Sequence, residues 1–321
     1  LGKSFKRLFS IEQSDVVSVL ADQTMQVKNS ASLVHEKLFL RESCFKQEED
    51  KNLFTSWAIP PVKLLTIENA FVSGDSGVIF LSRPKKYILE TDWGWGKYKS
   101  LNLRPFRRNK IYKIENTRKL YVAAGVGYHG IVEDLSTMLL LSEQGEEFDV
   151  AVKADNYWLV DLIRFFFGSA ISVFHYPANA WIKAEVFLAA TKSCFGEYPH
   201  PDLIRCLNKN ARSRCLSTRP CSVFISRTDA TRRVFNDEWR LQKVFESFGF
   251  KPVRLADMPV SEQICLLASA DRVAGLHGAG LANIVWCQHN PEVIEMYLEA
   301  WKEEGLSIPE PMNSNLFHNV R

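Results

Sequence analysis

From Lys119 onward, short apolar runs alternate with segments whose apolar residues recur at roughly the 3.6-residue helical spacing. This predicts strands at Leu120–Ala124, Phe148–Val152 and Ile171–His175, with helices at Asp134–Leu141 and Tyr157–Phe167 between them. Pro177–Cys194 reads as irregular, and a helix is expected near Pro201–Asn210. The rhythm then restarts with strand Cys221–Ile225, helix Asp237–Phe248 capped by Asn236, strand Pro252–Leu255, and helix Ser261–Ala268. Strand Arg272–Leu276, a helix over Leu281–Cys287 and strand Val293–Tyr297 complete it. Two runs of βαβαβ predict an α/β fold with two parallel sheets, hence two Rossmann-like domains facing a central cleft. Upstream the rhythm is weaker. Asp15–Val27 has amphipathic helical spacing, Arg41–Lys51 reads as charged surface loop, and Pro60-Pro61 marks a boundary. Leu64–Ser82 alternates around Ser-Gly-Asp-Ser-Gly, a hairpin signal. Tyr87–Lys99, rich in Trp, Gly and Tyr, reads either as buried packing or as an aromatic wall for a sugar ring. The expected division is an extension over 1–62, a first domain over 63–205 and a second over 206–321.

The densest signal for chemistry lies between the last two strands of this pattern. His277-Gly278-Ala279-Gly280 forms a glycine turn from a strand into the helix that starts at Leu281. Free backbone N–H groups and the positive end of the helix dipole then point at one spot, which suits an anion such as a diphosphate. His277 adds a hydrogen bond or a charge near neutral pH. The alternative is a tight βα turn that merely packs well. Arg227, Arg232 and Arg233 cluster where strand Cys221–Ile225 ends, on the side where open α/β sheets bind ligands. Their forked donors match phosphate oxygens, or else they are solvated loop arginines. Glu295, at the end of the last strand, could accept ribose hydroxyls or lie exposed. In the first half, His129 and Glu133 are four apart after strand Leu120–Ala124 and share a helix face, with Asp134 adjacent. They read as a general base and its partner, or as first-turn polar residues.

Composition bounds the partners. Over 321 residues the net charge is only +3, so a nucleic-acid surface is not expected. Charge is uneven, however: basic residues crowd Arg205–Arg233 and Leu101–Leu120, which suits an anionic ligand or peripheral association with a membrane carrying an anionic acceptor. Seven cysteines, with no CxxC, signal neither a zinc site nor a complete disulfide framework; reduced thiols are the simpler expectation, and one or two disulfides in a lumenal enzyme the alternative. No apolar run reaches the roughly 18 residues of a spanning helix. The chain opens on Leu1 rather than Met, so a removed targeting segment or anchor stays open. There is no Asp-x-Asp to hold a metal-bound diphosphate, no P-loop, and no G-x-S-x-G elbow. Gly125-Val126-Gly127-Tyr128-His129-Gly130 spells the dinucleotide fingerprint, but no strand ending in an acid follows at the required distance.

Taken together, ISRTDATRRVFN, EQICLLASADRVAGLHGAGLAN and VIEMY, in that order and spacing, resemble glycosyltransferase family 61 from about Tyr128 to Tyr297. The family's His and the acid four residues on, usually Asp, match His129 and Glu133, with Asp134 as competitor. The resemblance implies a two-domain GT-B architecture and inverting, metal-independent hexosyl or pentosyl transfer from a nucleotide sugar, a UDP-sugar for preference. The acceptor would be a glycan of capsule, lipopolysaccharide or glycoprotein, or a glycolipid, with no cofactor beyond the donor itself. It implies catalytic roles for Glu133, His129 and Asp134, and donor contacts from Arg227, Arg232, Arg233, His277, Gly278, Ala279, Gly280, Leu281, Asn283 and Glu295. A non-catalytic nucleotide-sugar or glycan-binding protein on the same fold is the alternative. The preferred location is bacterial cytoplasm beside the inner membrane, with a Golgi or endoplasmic reticulum lumen as the alternative.

Overall fold

The computed structural model describes residues 16–19, 23–25, 57–59, 62–81, 86–88, 111–190, 194–195, 198–199, 201–215, 220–231, 235–288 and 290–296. Arg41–Lys51, Pro60-Pro61, most of Tyr87–Lys99, and Arg232 and Arg233 lie outside them. The first half is built on a six-stranded sheet in the order β1 (Val16–Val19), β4 (Lys63–Glu68), β13 (Val186–Ala190), β9 (Lys119–Ala123), β10 (Phe148–Lys153), β11 (Val173–Tyr176). β13, β9, β10 and β11 run parallel, while β4 and β1 are added antiparallel. The first sheet is therefore mixed rather than parallel throughout. Two sequence expectations are corrected here. Where an amphipathic helix is expected over Asp15–Val27, the described residues form strands, Val16–Val19 and β2 (Gln23–Met25), the latter paired with β3 (Trp57–Ile59). The stretch Pro177–Cys194 contains β12 (Trp181–Lys183) and β13, the latter between β4 and β9 in the sheet.

Strand alternation divides the first half into two cores. Leu64, Tyr121, Ala123, Val150, Val152 and Leu188 face the helices. Leu65, Ile67, Leu120, Val122, Ala151 and Phe187 face a second, five-stranded sheet. That sheet runs β7 (Lys86–Ile88), β6 (Ile79–Leu81), β5 (Ala70–Ser73), β12, β8 (Ile111–Lys113), and its β5–β6 hairpin turns at Gly74–Ser76, as the sequence expects. Burial on both faces explains why the central strands read as apolar runs. At the amino end of β10, Asp149 accepts hydrogen bonds from the Arg118 side chain and backbone and from Ser172 N. Burial alone would raise its pKa, but these donors and the guanidinium charge hold it below the usual carboxylate range.

The second half is a parallel sheet ordered β17 (Lys251–Val253), β16 (Cys221–Ile225), β18 (Ala270–Leu276), β19 (Glu292–Met296), so the order reverses between β16 and β18. A short hairpin, β14 (Cys194–Phe195) with β15 (Tyr198–Pro199), precedes it. Among the described residues, five α-helices serve both halves: α1 (Ser136–Glu143), α2 (Tyr157–Phe167), α3 (Pro201–Arg212), α4 (Glu238–Ser247) and α5 (Val260–Ala268). α4 covers one face of the second sheet through Leu241 and Phe245 against Phe224 and Phe250. On the other face one continuous core joins the halves: Phe166 of α2 lies 5.7 Å from Trp286, and Leu203, Ile204 and Leu207 of α3 pack in the same cluster. The boundary expected at 205/206 thus falls inside α3, whose Asn208 also donates to Val285 O and Cys287 O.

Just beyond α3, Cys215 is disulfide-bonded to Cys265 of α5, with Cα atoms 5.1 Å apart. This corrects the expectation of reduced thiols throughout; a pair separated by 50 residues leaves no mark in cysteine spacing. Cys206, Cys221 and Cys287 are free thiols. Peptide mapping without reductant should recover Cys215 linked to Cys265. On the chain-entropy estimate for a loop of this length, Cys265→Ser should lower unfolding stability by about 4 kcal/mol. Recovery of both as free thiols from oxidatively folded protein would contradict the pairing.

Candidate functional site

β9 ends at Ala123, and the chain turns through Gly127 into a helical segment whose first part, Gly130–Leu135, is π-helical before it continues as α1. Gly127 has φ +54°, a left-handed conformation that suits glycine. The wider π turn frees carbonyls, and the Ser136 hydroxyl donates to Val132 O and Glu133 O. His129 and Glu133 meet as their spacing predicts, with Nδ1 2.8 Å from Oε1. The Tyr128 ring stands edge-on to His129 at 5.1 Å. Asp134 turns the other way. It is wholly buried, and its carboxylate accepts from Gly125 N at 2.8 Å and from the Tyr121 hydroxyl at 2.9 Å. Burial pushes its pKa well above the usual carboxylate range, with the Glu133 charge adding to the rise and the two donors opposing it. The carbonyl of the same Gly125 accepts from Asn156 Nδ2 at 2.9 Å, so both ends of that residue are held.

In the second half, β16 ends at Ile225 and Arg227 follows two residues on. Its backbone N–H points between the two Glu238 oxygens, at 3.0 and 3.1 Å. Glu238 is buried in the first turn of α4 and is braced by Gln242, which also donates to Ser226 Oγ. The expected Asn236 cap is not what begins α4: the cap residue is Asp237, without a side-chain cap bond. The Arg227 guanidinium lies against Gly278, so closely that a Cβ built on Gly278 would fall inside it. The backbone at Gly278 is extended, so clearance, not conformation, calls for glycine there.

β18 delivers His277, whose N–H donates to Met296 O and whose Nδ1 lies 2.7 Å from Glu295 Oε1. Both side chains of this pair are almost entirely buried. The following segment is a 3-10 helix over Ala279–Trp286. Leu281 points into the core, within reach of the position a Cβ on Gly275 would take, and Asn283 is occupied internally, donating to Gly280 O and accepting from Trp286 Nε1.

Arg227, His277, Gly278, Ala279 and Gly280 are therefore gathered at the carboxyl ends of β16 and β18, where the strand order reverses and where open α/β sheets bind ligands. Glu295 reaches this place through His277. The side chains of Leu281 and Asn283 serve the helix and the core, and Arg232 and Arg233 fall outside the described residues. The two halves touch at this point, since a Cβ on Gly127 would be 3.2 Å from the Ala279 Cβ. The His129–Glu133 loop and the glycine turn are thus neighbours. Among the described residues, no three His, Cys, Asp or Glu side chains cluster in a way that could hold a metal ion. Sequence reasoning missed Glu238, Gln242 and Asn156. Glu238 and Asn156 hold backbone well away along the chain, Gln242 braces the side chains of Glu238 and Ser226, and no spacing signals these partners.

Gly278→Ala should leave the fold nearly intact, because the obstacle is the tip of a flexible side chain, but it must displace the Arg227 guanidinium. Binding of a nucleoside diphosphate measured by calorimetry should weaken by about 1.5–3 kcal/mol, the worth of a hydrogen bond to a charged group, as for Arg227→Ala. Unchanged affinity would show that this contact does not serve the ligand.

Among the curated proteins compared with this chain, none matches significantly. The family model for Glycosyltransferase 61 matches residues 96–294, a span that contains both strand-end loops, the glycine turn and α2 to α5. With that match covering more than half of its length, the chain belongs to glycosyltransferase family 61.

Proposed function

We propose that the protein is an inverting, metal-independent glycosyltransferase that moves a sugar from a nucleotide-sugar donor, a UDP-sugar for preference, to a hydroxyl of a glycan acceptor. The observation that carries it is the juxtaposition of a His129–Glu133 pair on one strand-end loop with the Arg227, His277 and Gly278 cluster on the other, across loops in contact. Single-displacement transfer needs one base and one place for the leaving charge. Glu133 takes the proton of the acceptor hydroxyl as that oxygen attacks the anomeric carbon, while His129 holds the carboxylate in position. The bond to the diphosphate breaks with its electron pair on the leaving oxygen. Arg227 and the N–H groups of the glycine turn meet that charge, and His277, oriented by Glu295, adds to them.

Asp134, shut in behind the loop, holds Gly125 rather than the acceptor. A GT-B arrangement, with base and donor on separate Rossmann-like units, fits this division of labour. It carries the family's general expectation of donor and acceptor over to these residues. The Cys215–Cys265 bond favours the lumenal location over the cytoplasm, because disulfides persist in oxidising compartments. Among the described residues no helix is long and apolar enough to cross a membrane, and peripheral association through the basic segments remains the expected mode of any membrane contact.

Glu133→Gln keeps the side chain's size but cannot take a proton. It should lower turnover by about 10²–10⁴-fold with donor affinity nearly unchanged. Near-normal turnover in Glu133→Gln alongside inactivity in a stably folded Asp134→Asn would move the base by one residue. Nucleotide-sugar binding with no transfer by the wild type would favour the non-catalytic alternative.

Transfer should also survive EDTA, given the absence of Asp-x-Asp and the presence of Arg227 at the leaving group. Activity abolished by chelation and restored by manganese or magnesium would rule the metal-free mechanism out.

A further inference from the structure

We infer that Tyr157, which follows β10 as Val126 follows the neighbouring β9, is the platform on which a pyranose ring of the acceptor lies. The inference rests on the transferase function proposed above and locates the acceptor side of the same site. Tyr157 is 71% exposed and Val126 is 59% exposed, yet neither stands on an outlying loop. Val126 follows the carboxyl end of β9, Tyr157 follows that of β10, and the two strands are parallel neighbours. Both residues therefore sit on the rim that carries His129 and Glu133.

The neighbours of Tyr157 fix it to that rim. Asn156, just before it, donates to Gly125 O at 2.9 Å and accepts from Leu159 N as the cap of α2. Trp158, just after it, packs so closely on the Glu133-bearing segment that a Cβ on Gly130 would come within 3.1 Å of its ring. An exposed aromatic is thus held from both sides against the loop and helix that carry the base. A side chain with two rotatable torsions on an anchored backbone gives up little freedom on binding.

The chemistry suits a sugar. The face of a pyranose presents C–H groups, weakly positive and apolar, to the negative face of the tyrosine ring. Hydroxyls at the ring edge need acceptors, and the exposed Asp155 carboxylate, 3.4 Å from Lys153 Nζ, lies two residues before Tyr157 in the chain. The donor's diphosphate belongs to Arg227 and the glycine turn on the other half, so this platform serves the acceptor. A ring bound there, remote from the reacting hydroxyl, supplies binding energy that orients the hydroxyl toward Glu133.

The test uses the full chain saturated with UDP and four probes: the methyl glycosides of xylose, galactose, mannose and N-acetylglucosamine. Saturation-transfer NMR should show at least one of them bound through its ring protons. Tyr157→Ala should weaken that binding roughly tenfold, and Tyr157→Phe should restore most of it. Phe248→Ala, which removes a 67% exposed aromatic at the end of α4, should leave it unchanged. UDP affinity by calorimetry should be equal in all of these proteins. If UDP binds and the glycosides bind Tyr157→Ala as well as wild type, or bind neither, the platform is refuted while the donor site stands. If wild type fails to bind UDP, the donor-site assignment falls, and the platform with it.

Discussion

Both halves of the site depend on one device: a buried carboxylate that receives the backbone N–H of the second residue beyond a strand. In the first half Asp134 receives Gly125 N, two residues past Ala123; in the second Glu238 receives Arg227 N, two residues past Ile225. A buried acid costs desolvation, and a buried N–H left unpaired costs about 1–3 kcal/mol, so each group makes the other tolerable. The acid comes from the helical segment that follows, so it ties the loop to the element that carries the rest of the machinery. Glu133 precedes Asp134, and Gln242 sits one turn after Glu238. Displacing either carboxylate would release a strand-end loop, not just one side chain.

Helical and strand periodicity made most of the second half legible, because its central strands β16 and β18 are largely buried and its helices have one apolar stripe. Failures occurred where a short element carries too little pattern. Val186–Ala190 is a five-residue strand, and the proline and asparagine of the preceding turn mask it as irregular chain. Val16–Val19 is too short for period two to outweigh a helical spacing around it, although its valines favour the extended form. Glu133 and Asp134 show a harder limit. Adjacent helical residues point about 100° apart, so Glu133 meets His129 while Asp134 meets Tyr121 and Gly125, and their letters do not say which does which.

The glycine turn was legible as a place but not as a division of labour. Its residues look alike as a motif, yet the structure gives them different tasks. Gly278 leaves the space the Arg227 guanidinium fills, Leu281 packs in the core, and Asn283 holds Gly280 O and Trp286 Nε1 within the 3-10 helix. Glu295 read as a strand-end carboxylate for ribose hydroxyls or for solvent, and its pairing with His277 was not visible in the sequence. Such roles depend on what lies opposite each side chain, which is decided by the parallel pairing of β18 with β16 and β19.

In the proposed reaction, the contact of Gly127 with Ala279 bears on how closely the base and the donor approach. Two of the smallest residues meet there, and the left-handed backbone at Gly127 favours glycine on its side. Interiors packed to crystal-like density transmit small displacements rather than absorb them. A larger side chain at either position would therefore crowd this contact. The continuous core through Phe166, Trp286 and α3 places the halves near each other, and this small-residue contact brings the two strand ends together. If transfer runs as proposed, its reacting atoms must come within about 3–3.5 Å, so residue size at 127 and 279 bears on the chemistry beside the identity of the base.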